Sequence, residues 1–473
     1  MSASELWQLS ACDLASLISK GDVSATEAVT SALDRMQATN GTINAVVDDL
    51  SDSALQDAAR LDTVAAAQGP VGPLHGVPVT IKENTDQIGH ATPNGVAGFK
   101  DVIAPADSPI VANLKAAGAV VIGRTNTPEF SFRLTTDNPL HGRTRNPWND
   151  WASAGGSSGG AAAAVMSGMG AMAHGTDIAG SLRFPSACTG ATSVKPSLGR
   201  TPAWNPSQPA ERGVMAQIMA VQGVICREVR DVRLGLQAAI AYTPQDPWQM
   251  PIPWAGPAVE GPIKVGVTRE TYGFDLHPAV AKALDEAEAM LRDAGYEVTP
   301  IETPNIAEIG KEAMRTLLGE MKVQMLPAMR EHGAPDFNSY MDHLFDLYVP
   351  YEGDALLAAM GRRAGATRQW LQLLSETPLV LTPFLLGPPY AHARDFEGAE
   401  GARDIWASTF YSVSMNYMGL PAGNIAAHMA DGMPIAVQIV GQRFREDLIL
   451  DACEAIEARA GVMAPRLWAE MAG

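Results

Sequence analysis

Apolar residues recur at helical spacing over residues 26–35 and 53–67, and a short apolar stretch at 43–47 between them fits a strand. From residue 70 the rhythm changes. Residues 75–81 form a β-rich run, Ser108-Pro109 caps a helix running to 117, Gly118 ends it, and 119–122 reads as a buried strand. A second helix and strand of this kind follow a strand at 263–267, with a helix at 277–294, Gly295, and a strand at 296–298. Asp431-Gly432 between apolar runs at 424–428 and 435–440 marks a hairpin, and 447–460 a closing helix. Such alternation predicts an α/β fold with a large mixed, mostly parallel β-sheet covered by α-helices on both sides. No repeat or long linker divides the chain, which reads as a single domain over 1–473. Its parts are a helical N-terminal segment (1–68), a core (70–240), a variable pocket-forming region (241–400) and a C-terminal part of the core (401–473).

Two stretches resist a single reading. Residues 244–261, rich in Pro and Trp, fit a rim loop as well as a connection between lobes. Residues 305–365 read as mainly helical, with Met314, Met321, Met325 and Met329 at helix-compatible spacing, a pattern of core residues or of an adaptable pocket wall.

Composition narrows the function. The 473 residues carry 34 Lys+Arg against 52 Asp+Glu, a formal charge of −18, without a basic run, which argues against a nucleic-acid surface. Cys12, Cys188, Cys226 and Cys453 show neither a CxxC nor a His-paired spacing, so neither a metal site nor a disulfide framework is expected. Acidic residues precede any N-terminal apolar run, and no stretch has the length of a membrane span. The expectation is a cytoplasmic protein without a membrane partner, compatible with a homodimer.

The 44 glycines are unevenly placed. The densest group is Gly155-Gly156-Ser157-Ser158-Gly159-Gly160, followed by four alanines. A flexible linker is one reading, though a helix-forming run follows at once. A phosphate-cradling loop is a second, but it lacks a P-loop lysine and a preceding strand. The segment also fits G-x-S-x-G, yet a nucleophile elbow needs an apolar strand before the serine, and His428 is the only histidine beyond residue 392. A fourth reading joins Lys82, at the end of an apolar run, with Ser157 and with Ser181 in a second cluster at 175–185. There a lysine and two serines form a hydrolytic relay. Lysine acts as a base only when neutral, which requires burial worth about 4 kcal/mol.

Ordered motifs extend this last reading. GVPVTIKEN (76–84), TNTPEFS (125–131), TTDNP (135–139), NPW (146–148), AGGSSGGAAAAV (154–165), GTDIAGSLRFPSACTG (175–190), VKPSLGRTP (194–202), YMGLPA (417–422) and MPIAVQIVG (433–441) together resemble the amidase signature family. The resemblance covers about residues 25 to 460 and implies a Ser-cisSer-Lys triad: Ser181 as nucleophile, Ser157 as bridging serine after a cis peptide at Gly156-Ser157, and Lys82 as base. It also implies an oxyanion hole from the backbone N–H groups of Ile178, Ala179, Gly180 and Ser181, with Ser158, Asp177 and Arg183 as supports. Ser158 is expected to brace Lys82 or Ser157 or else to cap a helix, and Asp177 and Arg183 to pair.

The implied reaction is hydrolysis of a linear carboxamide to carboxylate and ammonia or amine through an acyl-enzyme, without metal or organic cofactor. Two departures stand out: Ala179 where the family usually has Gly, and Glu83 where Asp is more common. The apolar, cation-poor segments 314–329, 344–351 and 383–390 favour a neutral aliphatic or aromatic small-molecule amide. The alternatives are the glutamine-hydrolysing subunit of a tRNA-dependent amidotransferase, a hydrolase of a urea, carbamate or hydrazide, and an inactive binding protein on the same fold.

Overall fold

In the computed structural model, which describes residues 3–472, the short apolar runs assemble into one sheet of eleven strands. In chain order they are β1 (Val46–Asp49), β2 (Pro78–Lys82), β3 (Val120–Thr125), β4 (Met172–Asp177), β5 (Thr192–Lys195) and β6 (Val221–Cys226). The remainder are β7 (Lys264–Val267), β8 (Glu297–Pro300), β9 (Leu379–Pro383), β10 (Ala422–Ala430) and β11 (Met433–Gly441). Across the sheet the order is β1-β3-β2-β4-β6-β5-β10-β11-β9-β7-β8. Every residue of β2, β3, β9 and β11 is buried, so these strands need cover on both faces. Alternate side chains reach separate cores: Leu379 and Leu381 join one apolar cluster and Val380 the other. Seventeen α-helices among the described residues provide the cover, and none is long and apolar enough to cross a membrane.

The sheet is large and mixed, as the helix and strand alternation indicates, but its balance differs from the expected one. Four neighbour pairs are parallel, β2–β3, β2–β4, β7–β8 and β7–β9. The other six are antiparallel. Hydrophobic rhythm reports that a strand follows a helix, not the direction in which a returning strand enters the sheet. β6 enters antiparallel beside β4, and the Asp431-Gly432 turn folds β10 onto β11. The stretch at 43–47 is also divided: the helix Ala25–Ile43 runs through Ile43, Asn44 closes it in the left-handed conformation, and the strand starts at Val46.

Residues 244–261 contain no helix or strand. Arg200 ties this stretch to the core by donating to the carbonyls of Ile252 and Pro253 while pairing with buried Glu446, so it forms a rim. The methionine stripe divides. Met314 and Met329 are wholly buried, whereas Met321 and Met325 reach a cavity between the helices Ile306–Gln324 and Leu326–His332 and the sheet.

A buried ion pair joins the region beyond 241 to the core. Arg133 donates Nε to Asp395 Oδ2 at 2.8 Å and Nη2 to Oδ1 at 2.9 Å, with its guanidinium 3.4 Å from the Phe396 ring centroid. Asp395→Ala would remove two bonds from buried Arg133 and leave it paired with the less buried Asp137, so a loss of about 1 to 3 kcal/mol is expected in the urea-unfolding free energy.

Candidate active site

Strand β2 carries its last side chain, Lys82, into the interior between β3 and β4, where it is 0% exposed. Its Nζ lies 2.7 Å from Ser157 Oγ and 3.0 Å from Thr176 Oγ1 on β4. Burial pushes the Lys82 amine well below its usual 10.5, against the opposing pull of Asp177 and Glu83. A neutral amine that gives one N–H to Thr176 can turn its lone pair to Ser157. Beside it on β4, His174 donates Nε2–H to Gln222 at 2.7 Å and is driven down to about 3 by burial, with Lys82 adding to the shift.

Ser157 sits in the loop ahead of the short helix Gly159–Met166, and the Gly156–Ser157 peptide is cis. Two threonines grip this loop. Thr127 Oγ1 donates to Ser157 O at 2.9 Å; Thr136 Oγ1 donates to Gly155 O at 2.9 Å and accepts from Gly159 N at 3.1 Å. A Cβ at residue 156 would lie 2.5 Å from Arg133 O and 2.6 Å from Leu134 C, so only glycine lets the two backbones approach this closely.

Ser181 belongs to the loop between β4 and the helix Arg183–Thr189. Asp177 and Arg183, both 0% exposed, meet in two bonds of 3.1 Å. Burial alone would raise the Asp177 carboxyl, but Arg183 foremost holds it below the usual carboxylate range. Arg183 further donates to Gln438 at 2.8 Å and Asn416 at 2.6 Å. The Asp177 carboxylate in turn accepts from Gly180 N at 2.7 Å, Leu182 N at 3.2 Å and Asn416 Nδ2 at 2.8 Å. The pair is an internal brace that folds the serine loop, not a surface contact.

Two expectations need correction. Gly180 N–H is given to Asp177, so of the four N–H groups expected to form an oxyanion hole, those of Ile178, Ala179, Gly180 and Ser181, the third is already engaged. Ser158 bonds neither Lys82 nor Ser157 and makes no side-chain cap. Its hydroxyl instead exchanges bonds of 3.3 Å with Thr176 O and N, holding the residue that receives Lys82. The departures from the family pattern also find physical reasons. Glycine is demanded at 180, where φ is +128° and a Cβ would meet Ser412 Oγ at 2.1 Å. Ala179 is free of that demand and turns into an apolar cluster. Glu83 faces away from the chemistry, accepting from Gly95 N and bonding His141.

Ser157, Thr176 and Ser181 open on one cavity of about 490 Å³, whose apolar wall includes Phe99, Phe130, Phe132, Ile178, Leu317 and Met321. Residues 344–351 and 383–390 do not line it; residues 84–102 and 203–222 do. Asp86 joins these two loops, accepting from Thr92 Oγ1 at 2.7 Å and Ser207 Oγ at 2.8 Å. His428 lies at the hairpin, bonded to Glu286 at 2.8 Å. Among the described residues no three of His, Cys, Asp and Glu gather as metal ligands.

Sequence reasoning does not reach Thr176, Thr127, Asn416 or Gln438. Thr176 is the nearest to legible, since it precedes Asp177 in the serine motif. Asn416 offers a weaker signal, a lone amide in the apolar stretch that becomes the helix Phe410–Met418.

A family model described as Amidase matches residues 27–450. The chain is 44% identical to the indoleacetamide hydrolase of Bradyrhizobium diazoefficiens, covering 98% of this chain and 89% of the relative. It is 30% identical to a glutamyl-tRNA(Gln) amidotransferase subunit of Moorella thermoacetica, over 96% of this chain and 97% of that one. Among solved structures, a bacterial aryl acylamidase of the amidase signature enzymes superimposes with a TM-score of 0.83 at 26% identity, covering 97% of this chain and 98% of the other.

Gly180→Ala forces the serine loop against Ser412 and Phe184. It should lower the unfolding free energy by about 2 to 3 kcal/mol and, in the protein that remains folded, suppress labelling of Ser181 by a fluorophosphonate probe.

Proposed function

The chain belongs to the amidase signature family of linear-amide hydrolases, and from that premise we propose that it cleaves a neutral arylacetamide through Ser181, Ser157 and Lys82. The observation that carries the reading is the 2.7 Å bond from a buried lysine to Ser157, in a cavity that Ser157 shares with Ser181. A cavity of about 490 Å³ with phenylalanine walls suits a one- or two-ring acyl group, and the relative at 44% identity is named for an arylacetamide of that size.

Neutral Lys82 takes the proton of Ser157 as Ser157 takes that of Ser181, and Ser181 Oγ adds to the amide carbonyl. The N–H groups of Ile178, Ala179 and Ser181 receive the oxyanion. Ser157 then protonates the departing nitrogen and regains its own proton from Lys82, the C–N bond breaks, and ammonia leaves an acyl-Ser181 ester with Lys82 neutral again. Water enters, loses a proton to the same relay and releases the carboxylate. Asp177 and Arg183 take no proton; they hold the loop. All assigned residues come from one chain, so this reading needs neither a second polypeptide nor RNA. Four free thiols suit action in the cytoplasm.

The test is ammonia release over a panel of arylacetamides, aliphatic amides, ureas and glutamine. Arylacetamides should be turned over best, and Ser181→Ala should lower kcat/KM at least about 10,000-fold while the fold is kept. A wild-type preference for glutamine, or full activity in Ser181→Ala, would sink the assignment.

Acidity supplies a second check. Only neutral Lys82 accepts a proton, so kcat/KM should fall as pH drops through its lowered pKa and level off above it. The inflection is expected well below 10.5; a limb that is still rising at pH 10 would contradict the role of Lys82.

A further inference from the structure

Arg212 is the one basic residue among those lining the cavity, and nothing in the catalytic reading uses it. The other acid or base on that wall, Asp177, is already neutralised by Arg183. The wall thus carries one basic side chain without a direct ion pair, although Asp246 and Glu211 lie near enough to favour its charged form.

The surroundings of Arg212 differ from those of the paired interior arginines and from those of Arg227, which lacks a carboxylate but bonds four backbone carbonyls. Arg133, Arg183 and Arg200 each pair with a buried carboxylate. Arg212 has no carboxylate within 4.0 Å among the described residues; its Nη2 donates to Ala203 O at 2.5 Å. The nearby acid Asp246 is engaged elsewhere, accepting from Ala203 N at 2.6 Å and Trp248 N at 2.8 Å. Among the described residues only Nη2 of the guanidinium is bonded, which leaves Nε and Nη1 for a further acceptor. The geometry also places Arg212 away from the chemistry. It lines a small adjoining pocket together with Trp204, Gln208 and Trp248, and that pocket contains neither Ser157 nor Ser181.

We propose that Arg212 determines specificity by binding a carboxylate on the substrate end remote from the scissile amide, so that monoamides of aryl dicarboxylic acids are substrates beside the neutral arylacetamides. The inference rests on the amidase reading for the position of the reacting bond, and extends it. A planar fork matches a carboxylate with two parallel bonds, which an ammonium cannot reproduce. Asn205 and Ser207 are occupied, Asn205 with the backbone of Asn84 and Asp86 and Ser207 with the Asp86 side chain, while the carboxylates of Glu211 and Asp246 border the small pocket without pairing with Arg212.

The experiment compares phenylacetamide with the monoamide of 1,4-phenylenediacetic acid, on the wild type, Arg212→Lys and Arg212→Gln. In the wild type the carboxylated amide should have the lower KM. Arg212→Gln should reduce the ratio of kcat/KM, carboxylated over neutral, by about 30-fold, mainly through KM, with Arg212→Lys between the two. Raised salt should increase KM for the charged amide selectively in the wild type. Equal losses on both amides in Arg212→Gln would overturn the proposal and leave Arg212 as a wall residue. So would wild-type turnover of phenylacetamide without that of the carboxylated amide. Failure of the wild type on both would remove the amidase reading, and this one with it.

Discussion

The exclusion of water from Lys82 is the condition on which the site depends. A lysine at the end of a strand would ordinarily keep its charge in solvent; here the strand is buried on both faces and the amine has only Ser157, Thr176 and low-dielectric surroundings. Holding it neutral requires that the nearest fixed charges be cancelled locally. Asp177 favours the ammonium form, and Arg183, paired with it, opposes that pull. The same ion pair that shapes the Ser181 loop thus weakens the pull toward the ammonium form at Lys82, and a single electrostatic arrangement has two effects.

That arrangement draws on distant parts of the chain. Asn416 and Gln438, from the helix Phe410–Met418 and β11, complete the hydrogen-bond set of Arg183. Burying a guanidinium and a carboxylate is tolerable only when their remaining donors and acceptors are met, so the C-terminal part of the core is as much a component of the Ser181 loop as the motif around it. The wall of the cavity is built differently. It takes single side chains from loops and helices, and these loops are clipped together by Asp86.

What can be read from the sequence follows this division. Lys82, Ser157 and Ser181 lie in contiguous motifs whose glycines mark sharp backbone bends, and the hairpin and most helix limits follow from turn residues and spacing. Strand direction does not follow, because β4 and β6 read alike whichever way they run. Nor does the role of Asn416, since an isolated amide in an apolar run carries no information about a partner 233 residues away. The position of the indispensable glycine shows a finer limit. Ala179 stands out in the sequence as the anomaly, yet the left-handed φ falls on the next residue, Gly180, and a one-residue shift in a tight loop is set by tertiary contact with Ser412 and Phe184 rather than by composition.

The division of the methionine stripe has a consequence for how such a site diversifies. Met314 and Met329 anchor the helical layer, while Met321 and Met325, in the same stretch, border the space where substrate would lie. Residues that border the cavity are therefore separable from residues that hold the layer in place. Drift at 321 and 325 can reshape the chamber by small volumes without disturbing the strands that carry the reacting groups, and thioether side chains, flexible and unbranched, make the intermediate shapes passable. The floor of the cavity is tied down by the hydrogen bonds of its strands and loops, whereas its ceiling is not.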